Sequence, residues 1–259
     1  MALDPPPTAP ALAANRLIES LPRKNRLRFM DACEPVNLVS AEVLAEPGEY
    51  IRHVYFPTGS FISLTKPVDG RASLEVGLVG NEGMLGTSLV LGVETSPLHA
   101  LVQGGGSALR MGAAPFRHEL EQSPSLQHLL KRYLYVQIGQ LAQTVACTHF
   151  HLVEARLARW LLMSHDRAHS DTFHVTQECL AHMLGVRRVG VTKAATSLHR
   201  QGLIRYSRGD ITVLDRRGLE AASCGCYQAD NATYAQMMGE MPVQKSDALC
   251  ALSNRPVLV

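Results

Sequence analysis

The sequence predicts an α+β chain: an antiparallel β domain, one long helix, and a winged helix-turn-helix at the C-terminal side. Three observations carry this. Short apolar runs separated by turn residues crowd positions 36 to 111. A helical pattern with a single glycine and no proline follows from Ser125 to Cys147. The stretch from Thr176 to Asp215 then reads helix, glycine, helix, hairpin.

The β domain comes first. Its apolar runs, "VNLV", "HVYF", "FISL", "LEVGLV", "HALVQ" and "ALRM", are split by "EPGE", "PTGS", "VDGR", "GNEG" and "GGG". Strands this short at such spacing form an antiparallel sandwich or barrel. Pro47-Gly48 and Asp69-Gly70 are the clearest turns. In the helical stretch Leu126, Leu130, Tyr133, Val136 and Leu141 recur at steps of three to five. A long amphipathic helix of this kind packs on its own domain or pairs with a copy of itself. Pro124 suits the first turn, where its missing N–H would be unpaired anyway. A further apolar face follows at Leu152, Leu157, Trp160, Leu161 and Met163. Five segments result: a proline-rich tail at 1–14, the β domain at 15–123, a dimerisation helix at 124–150, the winged domain at 151–223, and a loose tail at 224–259.

Composition narrows the partners. At 46% hydrophobic residues, the 259-residue chain can bury a core. No apolar run reaches the ~18 residues a membrane span needs. The start, "MALDPPPTAPALAANRL", lacks the basic and apolar regions of an export signal, so a cytoplasmic setting with reduced thiols is expected. The charge is uneven. Arg187 to Arg217 holds eight basic and two acidic residues, +6, which leaves −4 for the rest of a chain of net charge +2. One basic module on a near-neutral protein points to a polyanion partner for that module, and the helix pattern within it makes that polyanion double-stranded DNA.

The basic module has an internal logic. Thr176 suits an N-cap, with Gln177 and Glu178 in the first turn. Leu180, Met183 and Leu184 face inward, and Gly185 supplies the positive φ of a tight helix–helix turn. The second helix starts near Arg187 and buries Val191, Ala194 or Ala195, and Leu198. Gly202 ends it, and "LIRY" and "ITVL" form the wing. The N-terminal residues of such a second helix enter the major groove. Arg188 can pair with guanine O6 and N7, worth about 1–3 kcal/mol of discrimination. Thr192 and Lys193 lie one turn further on. Arg187, Arg205 and Arg208 suit phosphates, which give affinity rather than sequence choice.

At this point the chain resembles the Crp/Fnr bacterial transcription regulators, over roughly Asn15 to Ser223. "EPGE" followed by "VYFPTGSFISL" resembles the early part of the family's jelly-roll-like β-roll. "EARLARWLL" resembles the helix that opens the DNA-binding domain, and "LAHMLGVRRVGVTKAATSLHRQGLI" the helix-turn-helix signature. The resemblance implies a cyclic-nucleotide-binding-like sensor, a homodimer on a palindromic operator, and RNA polymerase as a partner. It places an effector pocket near Glu82, Gly83, Gly86, Thr87, His99 and Leu141. The sequence departs from the family there. Gly86 precedes Thr87 rather than Glu, the Arg-Ser/Thr-Ala triplet reads "PLHA", and no arginine occurs between Arg71 and Arg110. A cyclic phosphate needs a fixed guanidinium or an equivalent donor, so cAMP binding of the family's usual kind is not expected. The family's Arg-Glu pair is Arg188-Val189 here. Valine cannot accept from cytosine but can touch a thymine methyl, which implies a different half-site. A family-type iron–sulfur cluster needs four cysteines, most of them N-terminal, and only Cys33 lies in the first half of the chain.

Other chemistry finds little support in the sequence. Cys147, His149 and His151 alternate by two, which on a helix points successive ligands about 200° apart. Cys224 and Cys226 lack a second pair at zinc-like spacing. Cys179 reads as a small buried hydrophobe. No metal site, cofactor or catalytic set is expected. Two other readings remain open at this stage. One is a cupin-like metal enzyme using His53, His99 and His118, and the other is a regulator controlled by thiol oxidation.

Overall fold

The structure, a computed structural model, describes residues 14–68, 73–207 and 209–239. All but Ala14 of the expected N-terminal tail lies outside the described residues, as do the Asp69-Gly70 turn and Arg208.

The N-terminal domain begins with α1 (Arg16–Glu19) and α2 (Arg23–Asp31). Asn15 fixes this entry. Its Oδ1 accepts from the N–H groups of Leu17 and Ile18, while its Nδ2 donates to the carbonyls of Pro57 and Gly83, each at 2.9 Å. The strands are β1 (Glu34–Leu38), β2 (Val43–Ala45), β3 (His53–Pro57), β4 (Phe61–Pro67), β5 (Ser73–Val79), β6 (His99–Gly104) and β7 (Gly106–Gly112). They pair antiparallel in two sheets, β1-β7-β3 and β2-β6-β4-β5. Each apolar run read from the sequence falls on a strand. The short β2 joins them as an addition, its three residues being exposed or half-buried. Phe56, Met111 and Phe116 fill one part of the core, and Ile62, Val79 and Val102 another.

Next come α3 (Ala113–Gln122) and α4 (Pro124–Phe150). Ser123 Oγ accepts from Leu126 N–H at 3.3 Å and caps α4, with Pro124 in its first turn. At 27 residues α4 is about 40 Å long. Leu126, Leu129, Leu130, Tyr133 and Val136 are buried, all but Val136 in the core beneath the roll. The apolar repeat read from the sequence is thus largely the face that anchors α4 to its own domain. A second stripe, Tyr135, Ile138, Leu141 and Val145, is exposed, from 40% at Leu141 to 69% at Val145.

The C-terminal domain holds α5 (Val153–Ala168), β8 (Thr172–His174), α6 (Gln177–Leu184), α7 (Arg188–Arg200), β9 (Ile204–Ser207), β10 (Asp210–Val213) and α8 (Arg216–Ala222). Leu157, Leu161, Leu180, Val191, Leu198, Ile204 and Ile211 make its core. One expectation needs correction up to Gly239: the first part of the segment read as a loose tail is ordered, while 240–259 lies outside the described residues. Cys226–Met238 forms a further helix, α9, which packs along α4. Gly139 of α4 faces Thr233 of α9 at this contact, where a Cβ would lie at an ordinary van der Waals distance of 3.6 Å from Thr233 Cγ2. The buried residues of α9 are Cys226, Tyr227, Asp230 and Tyr234, so its inner face carries no aliphatic stripe. Polar pairing holds it instead. Asp230 meets Arg159 at 2.6 Å, and Tyr234 Oη donates to the Glu82 carbonyl at 2.9 Å.

The two domains are joined across α5 and β5. Trp160 Nε1 donates to Glu75 Oε1 at 2.7 Å, and Ser63 Oγ donates to Glu75 Oε2 at 2.5 Å. Arg167 pairs with Glu82 at 2.7 Å. Burial pushes the Glu75 carboxyl up to about 7, against the hydrogen bonds from Ser63 and Trp160, which pull it down. The folded-state value lies above the unfolded one. The stability this carboxyl contributes is therefore full below about pH 4.5 and is lost as pH rises through about 7. Glu75→Gln keeps an acceptor for Trp160 and loses the charge. The melting temperature of the Gln variant should gain on wild type as pH is raised from about 5 to about 8. Parallel melting curves across that range would contradict the assignment.

Candidate nucleic-acid interface

The C-terminal domain exposes one strongly basic helix face. It is set up by the turn before it. Thr176 Oγ1 accepts from Cys179 N–H at 3.1 Å and starts α6. Gly185 ends α6 at φ +61, its N–H bonding the His182 carbonyl at 3.1 Å and Val186 N–H the Ala181 carbonyl at 2.9 Å. This reversal closes α6 and redirects the chain into α7. Val191, Ala194, Ala195 and Leu198 turn α7's apolar side into the core. The opposite side holds Arg188, Val189, Thr192, Lys193, Thr196 and Arg200, all exposed.

The sequence-predicted readers fall on that face with two adjustments. Arg187 is the N-cap residue and makes no side-chain cap, and Arg188 opens the helix. Thr192 is exposed, but its hydroxyl is engaged within the motif, with Gln177 Oε1 at 2.7 Å and the Arg188 carbonyl at 3.1 Å. Thr196 and Arg200 extend the face and were missed. Their i+4 spacing from Thr192 and Thr196 was the signal available. The wing stands beside α7. β9 and β10 pair through Ser207–Asp210 to Ile204–Val213, and β8 adds to β10. Gly209, at φ +91, passes so close to His174 that a Cβ would lie 2.6 Å from its ring. Arg205 is exposed on β9. Arg208, the expected wing-tip contact, is outside the described residues.

The effector residues expected from the resemblance do not come together. The roll carries an open pocket of about 460 Å³ among β3, the 3₁₀ turn at Thr87–Leu91 and the segment around Pro97. Gly86 and Thr87 line it, along with Arg52, His53 and Ser88. Gly86 sits at φ +98, and a Cβ there would meet Val54 at 2.8 Å. Glu82 is instead buried in its pair with Arg167. Gly83 lies under the Tyr133 ring, His99 pairs with Glu46 at 2.9 Å, and Leu141 is on the exposed side of α4. Arg52 comes from the approach to β3, a place the cyclic-phosphate triplet does not occupy. Nor do His53, His99 and His118 converge. His53 lies against Tyr55, and His118 is exposed on α3.

These features define a class: a winged helix-turn-helix joined by a long helix to an antiparallel β-roll. Residues 155–222 match the family model of the Crp-like helix-turn-helix domain. Comparison with curated proteins gives no match. Solved structures with the same fold include the c-di-GMP responsive global regulator CLP of Xanthomonas campestris. That protein is 14% identical at a TM-score of 0.61, with 74% of this chain and 99% of that one covered. FixK2 of Bradyrhizobium japonicum is 14% identical at a TM-score of 0.60, covering 74% and 98%. A Crp-family transcriptional regulator of Thermus thermophilus is 18% identical at a TM-score of 0.61, covering 73% and 96%. At these identities the likeness is one of fold. Residues 155–222 thus form a Crp-like helix-turn-helix domain, and the chain as a whole shares the fold of these Crp/Fnr structures.

The pocket generates a prediction. A ligand raises the melting temperature only when its concentration exceeds its dissociation constant. Without the family's cassette Glu and Arg, millimolar cAMP should leave the melting temperature unchanged in differential scanning fluorimetry. A rise of several degrees at micromolar cAMP would show that Arg52 or another donor replaces them.

Proposed function

We propose that the protein is a sequence-specific DNA-binding regulator that acts as a homodimer on an inverted-repeat operator. The observation that carries this is the exposed face of α7, with Arg188 and Val189 in its first turn, Lys193 one turn on, and the wing alongside. A helix presented N-terminus first, with adjacent basic side chains and no side-chain cap, suits a duplex in two ways. Its positive end attracts phosphate, and its leading side chains reach base edges. Arg188 reads guanine, Val189 touches a thymine methyl, and Arg187, Arg205 and Arg208 hold phosphates. Because Thr192's hydroxyl is occupied by Gln177 and the Arg188 carbonyl, Thr192 positions the turn more than it reads a base.

The homodimer rests on the outer stripe of α4. Tyr135, Ile138, Leu141 and Val145 follow one another at steps of three, three and four, the spacing of a helix-pairing seam. Two such helices side by side give the two-fold axis that an inverted repeat requires. Regulation would pass from roll to reading helix by a short route. Leu74 of β5 sits 3.1 Å from where a Cβ on Gly185 would be, so the turn between α6 and α7 rests on the sensor sheet. A ligand in the pocket that shifts β4 and β5 changes the footing of the reading helix. RNA polymerase is the expected partner of the DNA-bound form, with the cytoplasm as its setting.

These placements can be tested on DNA and in solution. Arg188→Ala should cost about 1–3 kcal/mol on the selected operator and much less on scrambled DNA. Arg187→Ala should weaken both by similar factors and lower the salt slope by about one unit per half-site. The operator, found by selection from random duplexes, should have half-site centres about 34 Å apart. Equal losses on both duplexes for Arg188→Ala would make Arg188 a phosphate contact. For the dimer, wild type should sediment near 56 kDa, twice the 28.2 kDa chain. The double variant Ile138→Glu/Val145→Glu should sediment as a folded monomer that has lost operator affinity, since like charges face each other across the seam. A dimer undisturbed by both charges would place the interface elsewhere.

A further inference from the structure

Four metal-ligating side chains that lie far apart in the sequence meet at the junction of the two domains. Cys147 is in the last turn of α4, His151 is its C-cap, Cys224 lies between α8 and α9, and Cys226 opens α9. Their donor atoms all lie within 4.8 Å of one another. Cys147 Sγ is 3.5 Å from Cys224 Sγ, and Cys226 Sγ is 3.4 Å from His151 Nδ1. Cys147, Cys224 and Cys226 are buried, and His151 closes the outer side.

We propose that Cys147, His151, Cys224 and Cys226 form a closed structural zinc site. The distances support a single tetrahedral ion. Zinc–sulfur bonds of about 2.3 Å and zinc–nitrogen bonds of about 2.0–2.1 Å put neighbouring ligand atoms about 3.8 Å apart for two sulfurs and about 3.5 Å for sulfur and nitrogen. The two measured separations are close to these. A multi-iron cluster would need its thiolates spread around a much larger body. Three soft thiolates with one imidazole favour zinc over the hard cations that prefer oxygen. Four protein ligands leave no open position for a reacting water, so the role is structural rather than catalytic.

The surroundings fit the charge of such a site. Three thiolates and a neutral imidazole around a divalent cation leave one negative charge. Arg156 and Arg159 of α5 line the same small cleft as Cys147 and supply compensating positive charge. Gln143 Nε2 donates to Cys226 Sγ at 2.9 Å, as an outer-shell group does to a ligating thiolate. When zinc binds, each ligating thiol that still carries a proton releases it to solvent, and no electron is transferred. The ion would tie the end of α4 to the α8–α9 connection and the N-terminus of α9. That is the hinge between the roll and the reading helix.

The test uses the full chain, purified reduced and metal-free, then titrated with zinc and dialysed. Elemental analysis should find one zinc per chain, and chelation should lower the melting temperature. Cobalt added in place of zinc should give the intense visible bands and thiolate charge-transfer absorption of a tetrahedral site. His151→Ala and Cys226→Ser should each lose roughly tenfold or more in zinc affinity, and Gln143→Ala should fall between them and wild type. His151→Cys should restore a tetrahedral site with an altered cobalt spectrum, which separates lost ligation from lost folding. Cys179→Ser should keep full occupancy. Absence of bound metal in wild type, a six-coordinate cobalt spectrum, a sulfide-containing cluster, or unchanged affinity in His151→Ala and Cys226→Ser would each overturn the proposal.

Discussion

Much of this molecule depends on the electrostatics of one helix. α5 carries Arg156, Arg159 and Arg167, all buried. A guanidinium removed from water is costly unless a carboxylate or carbonyl replaces the lost hydration. Each partner comes from a different part of the chain. Arg167 takes Glu82 from the roll, Arg159 takes Asp230 from α9, and Arg156 donates to the Leu184 carbonyl at the end of α6. Trp160 adds its own link to Glu75. Satisfying α5 therefore assembles the roll, the C-terminal helix and the helix-turn-helix around one axis. The interdomain seam is polar at its centre and consists of specific pairs, which favour one arrangement over others that would strand a charge.

What was legible in the sequence was what is local. The turn at Gly185, the cap at Thr176, Pro124 in the first turn of α4, and the inward residues of α7 depend on neighbours within one or two turns, and the pattern shows them directly. The strands of the roll were legible because turn residues separate them. The direction in which α4 faces its partners was less so. Leu126 to Val136 form an apolar repeat whether the helix packs on its own domain or on a copy, and only the packed roll separates that face from the one bearing Ile138 and Val145.

The rest was hidden because it depends on distant pairings. α9 buries Asp230 and Tyr234, which read as surface residues until Arg159 and the Glu82 carbonyl are seen opposite them. Glu82 itself could be placed near the effector pocket by resemblance, yet Arg167, 85 positions later, claims it. For the thiols, alternation by two correctly prevents Cys147, His149 and His151 from converging. The i,i+4 pair within that run, Cys147 and His151, does share one helix face. Its completion by Cys224 and Cys226 needs the return of α9, which the sequence pattern did not show.

The return of α9 also bears on how such proteins can recombine. A winged domain is often treated as an exchangeable part, bounded where its last wing strand ends. Here the chain crosses back after α8, lies along α4, and reaches the roll through Tyr234. A boundary drawn at the wing would leave Arg159 buried with no counter-charge and strip one side of the connecting helix. The unit of inheritance is therefore the reading head together with its return helix and the stretch of α4 beneath it. Grafting this head onto another sensor would mean carrying over a matching groove, and a compatible reading helix alone would not suffice.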